Sequence, residues 1–228
     1  MSGKIAVVTG ASRGIGLAIA RALAAQGCSL ALAARSLPPH PTAGAAVLRQ
    51  SCDVAREHDV ARFFAAVQER FGRVDVLVNN AGVSHAMRNV QELPLADWQR
   101  NLDTNLTGTF LCTRAALPLM TRGGAIVNNL SLAARTVFAG EAAYCASKFG
   151  ALGFTNTLRE ELRPRGIRVI ALLAGPTDTD IWDQFMPDAP RDHMLRPEAV
   201  AAAVLNALVL PEHATVQELV MAPECGPI

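Results

Sequence analysis

The chain contains one tyrosine, Tyr144, which stands four positions before Lys148, one of only two lysines among 228 residues. Residues four apart lie on one face of a helix, about one turn from each other. An ammonium held beside a phenol favours the phenolate, so the pair is expected to lower the tyrosine from its reference value of about 10. A phenol tuned in this way can exchange protons near neutral pH. A solvated surface pair would show the same spacing. The residues around it in the chain set this pair apart.

Such a pair needs a rigid frame, and the composition provides for one. Half of the residues are hydrophobic, 18% are charged and the net charge is +1. A chain of this length and apolarity is expected to form one compact domain rather than a disordered segment. No run of like charges marks a nucleic-acid surface, a polybasic membrane patch or an acidic tail. The apolar run Ile5–Val8 is too short for a signal-peptide core, and no stretch approaches the ~20 apolar residues that span a bilayer. The expected location is cytoplasmic, with neither membrane nor nucleic acid as partner. The cysteines (Cys28, Cys52, Cys112, Cys145 and Cys225) form no C-x-x-C pair and read as reduced, mostly buried thiols. The histidines share no ligand spacing, and no metal is expected.

Short apolar runs alternate with segments of helical period. Strands are expected at 5–9, 29–33, 46–51, 74–78, 125–130, 167–173 and 217–221. Helices are expected at 14–26, 60–71, within 95–120, at 142–163 and at 198–210. Near-continuous Val/Ile/Leu strands between helices imply a parallel sheet buried on both faces. Repeated β-α units with right-handed crossovers then give an α/β, three-layer, doubly wound fold in a single domain. Between Arg35 and Asp53, the segment Ser36–Thr42 carries Pro38, Pro39 and Pro41. Prolines suppress a regular helix, so a short extended crossover is expected there.

Thr9-Gly10-Ala11-Ser12-Arg13-Gly14-Ile15-Gly16 joins the first strand to the first helix. Its glycines allow a sharp turn and a close backbone approach to a pyrophosphate, and the helix N-terminus offers free N–H groups to the anion. The spacing is Gly-x-x-x-Gly-x-Gly, which departs from the usual dinucleotide fingerprint Gly-x-Gly-x-x-Gly.

With this turn the chain resembles the short-chain dehydrogenase/reductase family, over residues 4 to about 180. The motifs are Thr9–Gly16, Asn79-Asn80-Ala81-Gly82, Asn105, Ser131, Tyr144-x-x-x-Lys148 and Ala174-Gly175-Pro176-Thr177-Asp178-Thr179, in that order. The resemblance implies a Rossmann fold and an enzyme that interconverts a carbonyl and an alcohol with a nicotinamide cofactor. It makes Asn105, Ser131, Tyr144 and Lys148 the candidate catalytic residues. Tyr144 would be the acid in reduction, Lys148 would lower its pKa and bind the nicotinamide ribose, and Ser131 would hold the substrate oxygen. Asn105, a poor helix-interior residue, would hold a kink and a water leading towards Lys148. Gly10, Ser12, Arg13, Gly14, Ile15, Gly16, Arg35, Asp53, Val54, Asn80, Ala81, Gly82, Tyr144, Lys148, Gly175, Thr177 and Thr179 are the candidate cofactor contacts. Asn79 would brace strands, and Asp53 suits a helix cap equally well. After the sixth strand the family usually shows Pro-Gly, where this chain has Ala174-Gly175 with Pro176 following.

An acid at the end of the second strand would bind an adenosine ribose and repel a 2′-phosphate. Ala34-Arg35 stands there instead, with Arg13 in the glycine-rich turn. Two guanidiniums suit a phosphate dianion, so NADP(H) is expected over NAD(H). A lid is expected over 178–195, with Trp182, Phe185 and Met186 in it. With His85, Met87 and Phe138 as further candidate pocket residues, this apolar set favours a hydrophobic or aromatic ketone or aldehyde as the small-molecule substrate. His85 and Arg135 are expected to be solvent-exposed. Small residues along 142–163 permit close helix approach, and related proteins assemble through this helix, so a homodimer or homotetramer is expected. A 3-oxoacyl-carrier-protein reductase is the second reading, although neutral composition provides no basic patch for an acidic carrier. A non-catalytic NADP(H)-binding sensor or scaffold is the reading of another class.

Overall fold

The computed structural model describes residues 1–41, 46–211, 213–224 and 226. Seven parallel strands form one sheet: β1 (Ile5–Thr9), β2 (Ser29–Ala34), β3 (Val47–Ser51), β4 (Val76–Asn79), β5 (Ala125–Asn129), β6 (Arg168–Ala174) and β7 (Glu218–Met221). Their order in space is β3-β2-β1-β4-β5-β6-β7. The chain steps outward one way from β1 to β3, then returns and continues from β4 the other way. Helix α1 (Gly14–Ala25) and helix α7 (Pro197–Leu208) cover one face, and α2 (Glu57–Phe71), α4 (Gly108–Ala116) and α5 (Ala142–Leu162) cover the other. The three layers and the parallel sheet are those the apolar runs imply. Strand β1 is buried along its whole length, as a strand covered on both faces must be.

The crossover from β2 to β3 has no helix among its described residues, Ser36–Pro41 and Ala46. Thr42, within the proline-rich segment, lies outside the described residues. One consequence is visible in β3, which is only partly covered along its length. The 95–120 region resolves into α3 (Leu95–Leu102), a π turn (Asp103–Thr107) and α4. A short helix, α6 (Trp182–Phe185), sits in the expected lid segment. Cys28, Cys52, Cys112 and Cys145 are free and buried, whereas Cys225 lies outside the described residues. No His/Cys/Asp/Glu cluster that could hold a metal ion occurs among the described residues. No helix of the described residues is long and apolar enough to cross a membrane.

Polar side chains bolt this sheet to its helices from inside. Asn79 at the end of β4 donates to Thr113 Oγ1 on α4 and to Asn128 Oδ1 on β5, each at 2.9 Å. Asn128 in turn donates to Thr155 Oγ1 on α5 at 2.9 Å. These groups are buried, where a hydrogen bond is strong and an unpaired partner is costly. Replacing Asn128 with Ala should therefore lower unfolding stability by roughly 2–4 kcal/mol, from the cavity and the stranded polar groups together. Urea denaturation measures it, and a loss below the uncertainty of the fit would show that the ladder contributes nothing to the frame.

Candidate active site

Every loop at the C-terminal ends of the central strands opens on one cavity of about 750 Å³. Gly10, Ser12, Arg13, Gly14 and Ile15 come from the loop after β1, Arg35 from β2, and Asp53 and Val54 from β3. Asn80, Ala81 and Gly82 follow β4, Ser131 follows β5, and Gly175, Thr177 and Thr179 follow β6. Gly16 and Asn105 are buried and do not line the cavity.

The glycine-rich turn is held tightly against the loop after β4. Gly10 has φ +64°, and a Cβ there would stand 2.8 Å from the backbone of Ala81. Gly14 has φ +55°, and a Cβ there would meet Thr179 at 2.9 Å. Larger residues are thus excluded by both dihedral and space. Thr9 Oγ1 accepts the backbone N–H groups of Asn80 and Ala81, at 3.0 and 3.1 Å. The Asn80 amide donates to the carbonyls of Thr9 and Gly10 and accepts from Asn129 Nδ2 at 2.9 Å. Asn80 is therefore a brace between β1, β4 and β5 as well as a cavity residue. No side chain caps the first turn of α1, which leaves its N–H groups for a bound anion. Asp53 is not the N-cap of α2, a place taken by Arg56. Asp53 instead accepts from the Ala55 N–H in a local turn at 3.1 Å.

At the other end of the cavity, α5 presents Tyr144 and Lys148 on one face, with Ser131 opposite. The Ser131 hydroxyl lowers the proton affinity of the Tyr144 phenol, and its Oγ accepts from the Ala133 N–H at 3.2 Å. Lys148 is 6% exposed, and its Nζ donates to the Asn129 carbonyl at 3.0 Å and lies 5.4 Å from the centre of the Tyr144 ring. Asn105 sits in the π turn, where a kink was expected. Its side chain is fully used: Oδ1 accepts from the Val83 N–H at 2.8 Å, and Nδ2 donates to the Val83 carbonyl and to Ser147 Oγ, each at 2.9 Å. Asn105 thereby clamps the loop after β4 onto α5.

A family model for short chain dehydrogenases matches residues 4–190. The chain belongs to the short-chain dehydrogenase family. It is 37% identical to a 3-oxoacyl-[acyl-carrier-protein] reductase of Synechocystis sp., over 90% of this chain and 88% of that protein. Its structure is similar to an alcohol dehydrogenase from the archaeon Thermococcus sibiricus complexed with 5-hydroxy-NADP, with a TM-score of 0.88, 33% identity and 97% of each chain covered. It is also similar to a 3-ketoacyl-(acyl-carrier-protein) reductase from Brucella melitensis complexed with NADH, with a TM-score of 0.86, 28% identity and 96% of each chain covered.

Two expectations about this short-chain dehydrogenase need correction. Burial pushes the Tyr144 phenol up to about 12, and the influence of the Ser131 hydroxyl offsets only part of that rise. Burial also drives Lys148 down to about 8, and for the phenol desolvation outweighs the influence of the cation. His85 is 1% exposed rather than solvated, with Nδ1 against the Ala86 carbonyl at 2.7 Å. Arg135 is exposed, as expected, and pairs with Glu218 away from the cavity.

Sequence reasoning missed several residues. Glu141 and Ser84 line the cavity beside Tyr144, and the spacing of Glu141 three positions before Tyr144 was the available signal. Arg191 ties the lid together by donating to Asp178 at 3.1 Å, to the Thr179 carbonyl at 2.8 Å and to Asp183 at 2.5 Å. Nothing local marks that role.

Ser131 also carries a feature that no motif encodes. Its φ of +99° and ψ of 157° fall in a region that is essentially glycine-only, and it is the one non-glycine with positive φ among the described residues. Replacing Ser131 with Gly should relieve this strain and raise stability by about 1 kcal/mol, net of the lost side-chain bonds. A thermal melt reads the change, and a lowered Tm would show that the hydroxyl's bonds outweigh the strain.

Proposed function

We propose that this short-chain dehydrogenase is an NADP(H)-dependent oxidoreductase that reversibly reduces a ketone or aldehyde on a small molecule. The observation that carries the reading is the convergence of Ser131, Tyr144 and Lys148 on the same cavity as the glycine-rich turn. The residues suit a dinucleotide: close glycine backbone and an uncapped helix N-terminus at one end, and an acid–hydroxyl pair at the other. When bound, the nicotinamide supplies the hydride chemistry. We read 1–228 as a single nucleotide-binding domain with 178–195 as its lid.

On this reading, Gly10, Ser12, Gly14, Ile15, Thr177 and Thr179 hold the pyrophosphate and carboxamide side, and Gly16 keeps the turn closed from behind. Asp53 and Val54 flank the adenine, and Asn80, Ala81 and Gly82 wall the central part. Tyr144 Oη gives its proton to the substrate oxygen, while Ser131 Oγ donates a hydrogen bond to that oxygen as negative charge develops. Lys148 holds the ribose and steadies the phenolate left behind. Asn105 acts through the Val83 loop and α5. Replacing Tyr144 with Phe should leave fold and nucleotide affinity intact and lower kcat by about 10²–10⁴-fold. A carbonyl panel with NADPH reads this, and full activity in Tyr144→Phe removes the proposed acid.

Support for NADP(H) comes from the adenosine end. Arg13 and Arg35 both line the cavity, and both are exposed. Arg13 pairs with Asp180 at 3.1 Å, and Arg35 has no ion-pair partner among the described residues. An exposed pair is worth about 0–1 kcal/mol, so Arg13 exchanges Asp180 for a phosphate at little cost. Replacing Arg35 with Asp should cut kcat/KM for NADPH by roughly 10–100-fold and spare NADH. An unchanged preference ratio would remove Arg35 from cofactor selection.

Met87, Phe138, Trp182, Phe185 and Met186 line the substrate end and favour an apolar carbonyl compound. The 3-oxoacyl-carrier-protein reductase reading keeps its place because of the Synechocystis and Brucella relatives. Exposed Phe110 on α4 and Phe149 on α5, beside the open surface at Gly153, support a homodimer or homotetramer built on these helices.

A further inference from the structure

Glu141 immediately precedes α5, three residues before Tyr144 and seven before Lys148, so carboxyl, phenol and ammonium share one helical face. All three line the cavity, yet Glu141 is only 2% exposed. Its Oε2 accepts from Ser84 Oγ at 3.1 Å, and its Oε1 is buried without a hydrogen-bond partner among the described residues. A buried carboxyl normally has a cation. The charged and titratable groups around it are engaged elsewhere. From α3, Arg100 pairs with Asp97 at 3.2 Å and donates to the Ser84 carbonyl. From the loop after β4, His85 is turned to Ala86 O, and Arg88 is an exposed side chain. After β5, Arg135 pairs with Glu218, and on α5 itself Cys145 is a buried thiol and Lys148 is bonded to Asn129 O.

We propose that Glu141 is a positioning residue whose carboxylate keeps Tyr144 in its protonated, proton-donating form. The inference rests on the reading of Tyr144 as the reacting acid. A carboxylate beside a phenol opposes the phenolate, so its charge raises the proton affinity of Tyr144. Burial pushes Glu141 itself up to about 7. Below that pH the carboxyl is neutral and leaves the phenol alone. Above it the carboxylate appears and holds the proton on Tyr144, which widens the alkaline range in which the acid can donate. Glu141 thereby helps to set the pH at which the phenol loses its proton.

Tyr144 is the chain's one tyrosine, so tyrosinate ultraviolet absorbance reports on this phenol alone. The full chain and Glu141→Gln, which keeps an acceptor for Ser84, are titrated with circular dichroism recorded in parallel to mark where each remains folded. The expected result is a midpoint lower by about one pH unit in Glu141→Gln, the size of a single like-charge interaction. Where the wild-type midpoint lies beyond the folded range, the variant should show a several-fold greater ionised fraction at the highest pH at which both are folded. Equal ionisation in the two proteins overturns the proposal, as does a lowered Tm with an unmoved titration, the mark of a merely structural residue. Glu141→Met takes the place of Glu141→Gln should the amide fail to fold. The pH profile of alcohol oxidation should move down by the same interval. A chain that turns over no carbonyl or alcohol sinks the oxidoreductase reading, while the absorbance titration still decides the role of Glu141.

Discussion

The site depends on the divergence of the chain between β1 and β4. These strands are neighbours, yet the crossovers that leave them turn to opposite sides, and a crevice opens above their C-terminal ends. Its floor is held shut by hydrogen bonds rather than by apolar packing. The Asn80 amide reaches back to the Thr9 and Gly10 carbonyls while Asn129 donates to it from β5. Three strands are thus pinned at the level where the glycine-rich turn begins. Gly10 must then have no side chain, because the loop that carries Asn80 passes against it. One half-buried amide thus ties the turn to the floor of the crevice.

The same burial that makes the frame rigid governs the chemistry. Removing a phenol and an ammonium from water disfavours the charged form of each, so Tyr144 rises and Lys148 falls. Proximity of opposite charges would move both the other way. In this chain desolvation is the larger effect. The hydroxyl of Ser131 is the group that pulls the phenol back down, and it is held in position by a backbone conformation that costs energy. Strain at one residue and desolvation at two others are concentrated within one cavity end, which is where a fold can carry them if its surroundings are over-determined.

Much of the architecture was legible beforehand. Strand β1 and the start of α1 fall where the apolar run and the glycines place them, and the proline-rich crossover lacks a helix among its described residues. Asn105 marked its own irregularity, since an asparagine in an apolar helical stretch signals a break, and a π turn is found there. Many of the cavity residues were readable because they follow strands, and parallel strands deliver their following loops to one edge. His85 was misread because a lone histidine in a polar loop carries no sign of the elements that close over it. Glu141 carried a local sign in its spacing to Tyr144, but its contact with Ser84 and its burial exist only once the loop after β4 packs on α5.

The amino-acid order alone determined the alternation of strand and helix, the glycine turn, the tyrosine–lysine register and the family. These are local patterns, written in periodicities of two to four residues and in short motifs. The tertiary structure decided which titratable groups lose their water, which direction their proton affinities move, and that Ser131 sits in a strained backbone state. Those properties arise from contacts between segments far apart in the chain, such as β4 with α5, and no local pattern encodes how much solvent such contacts remove.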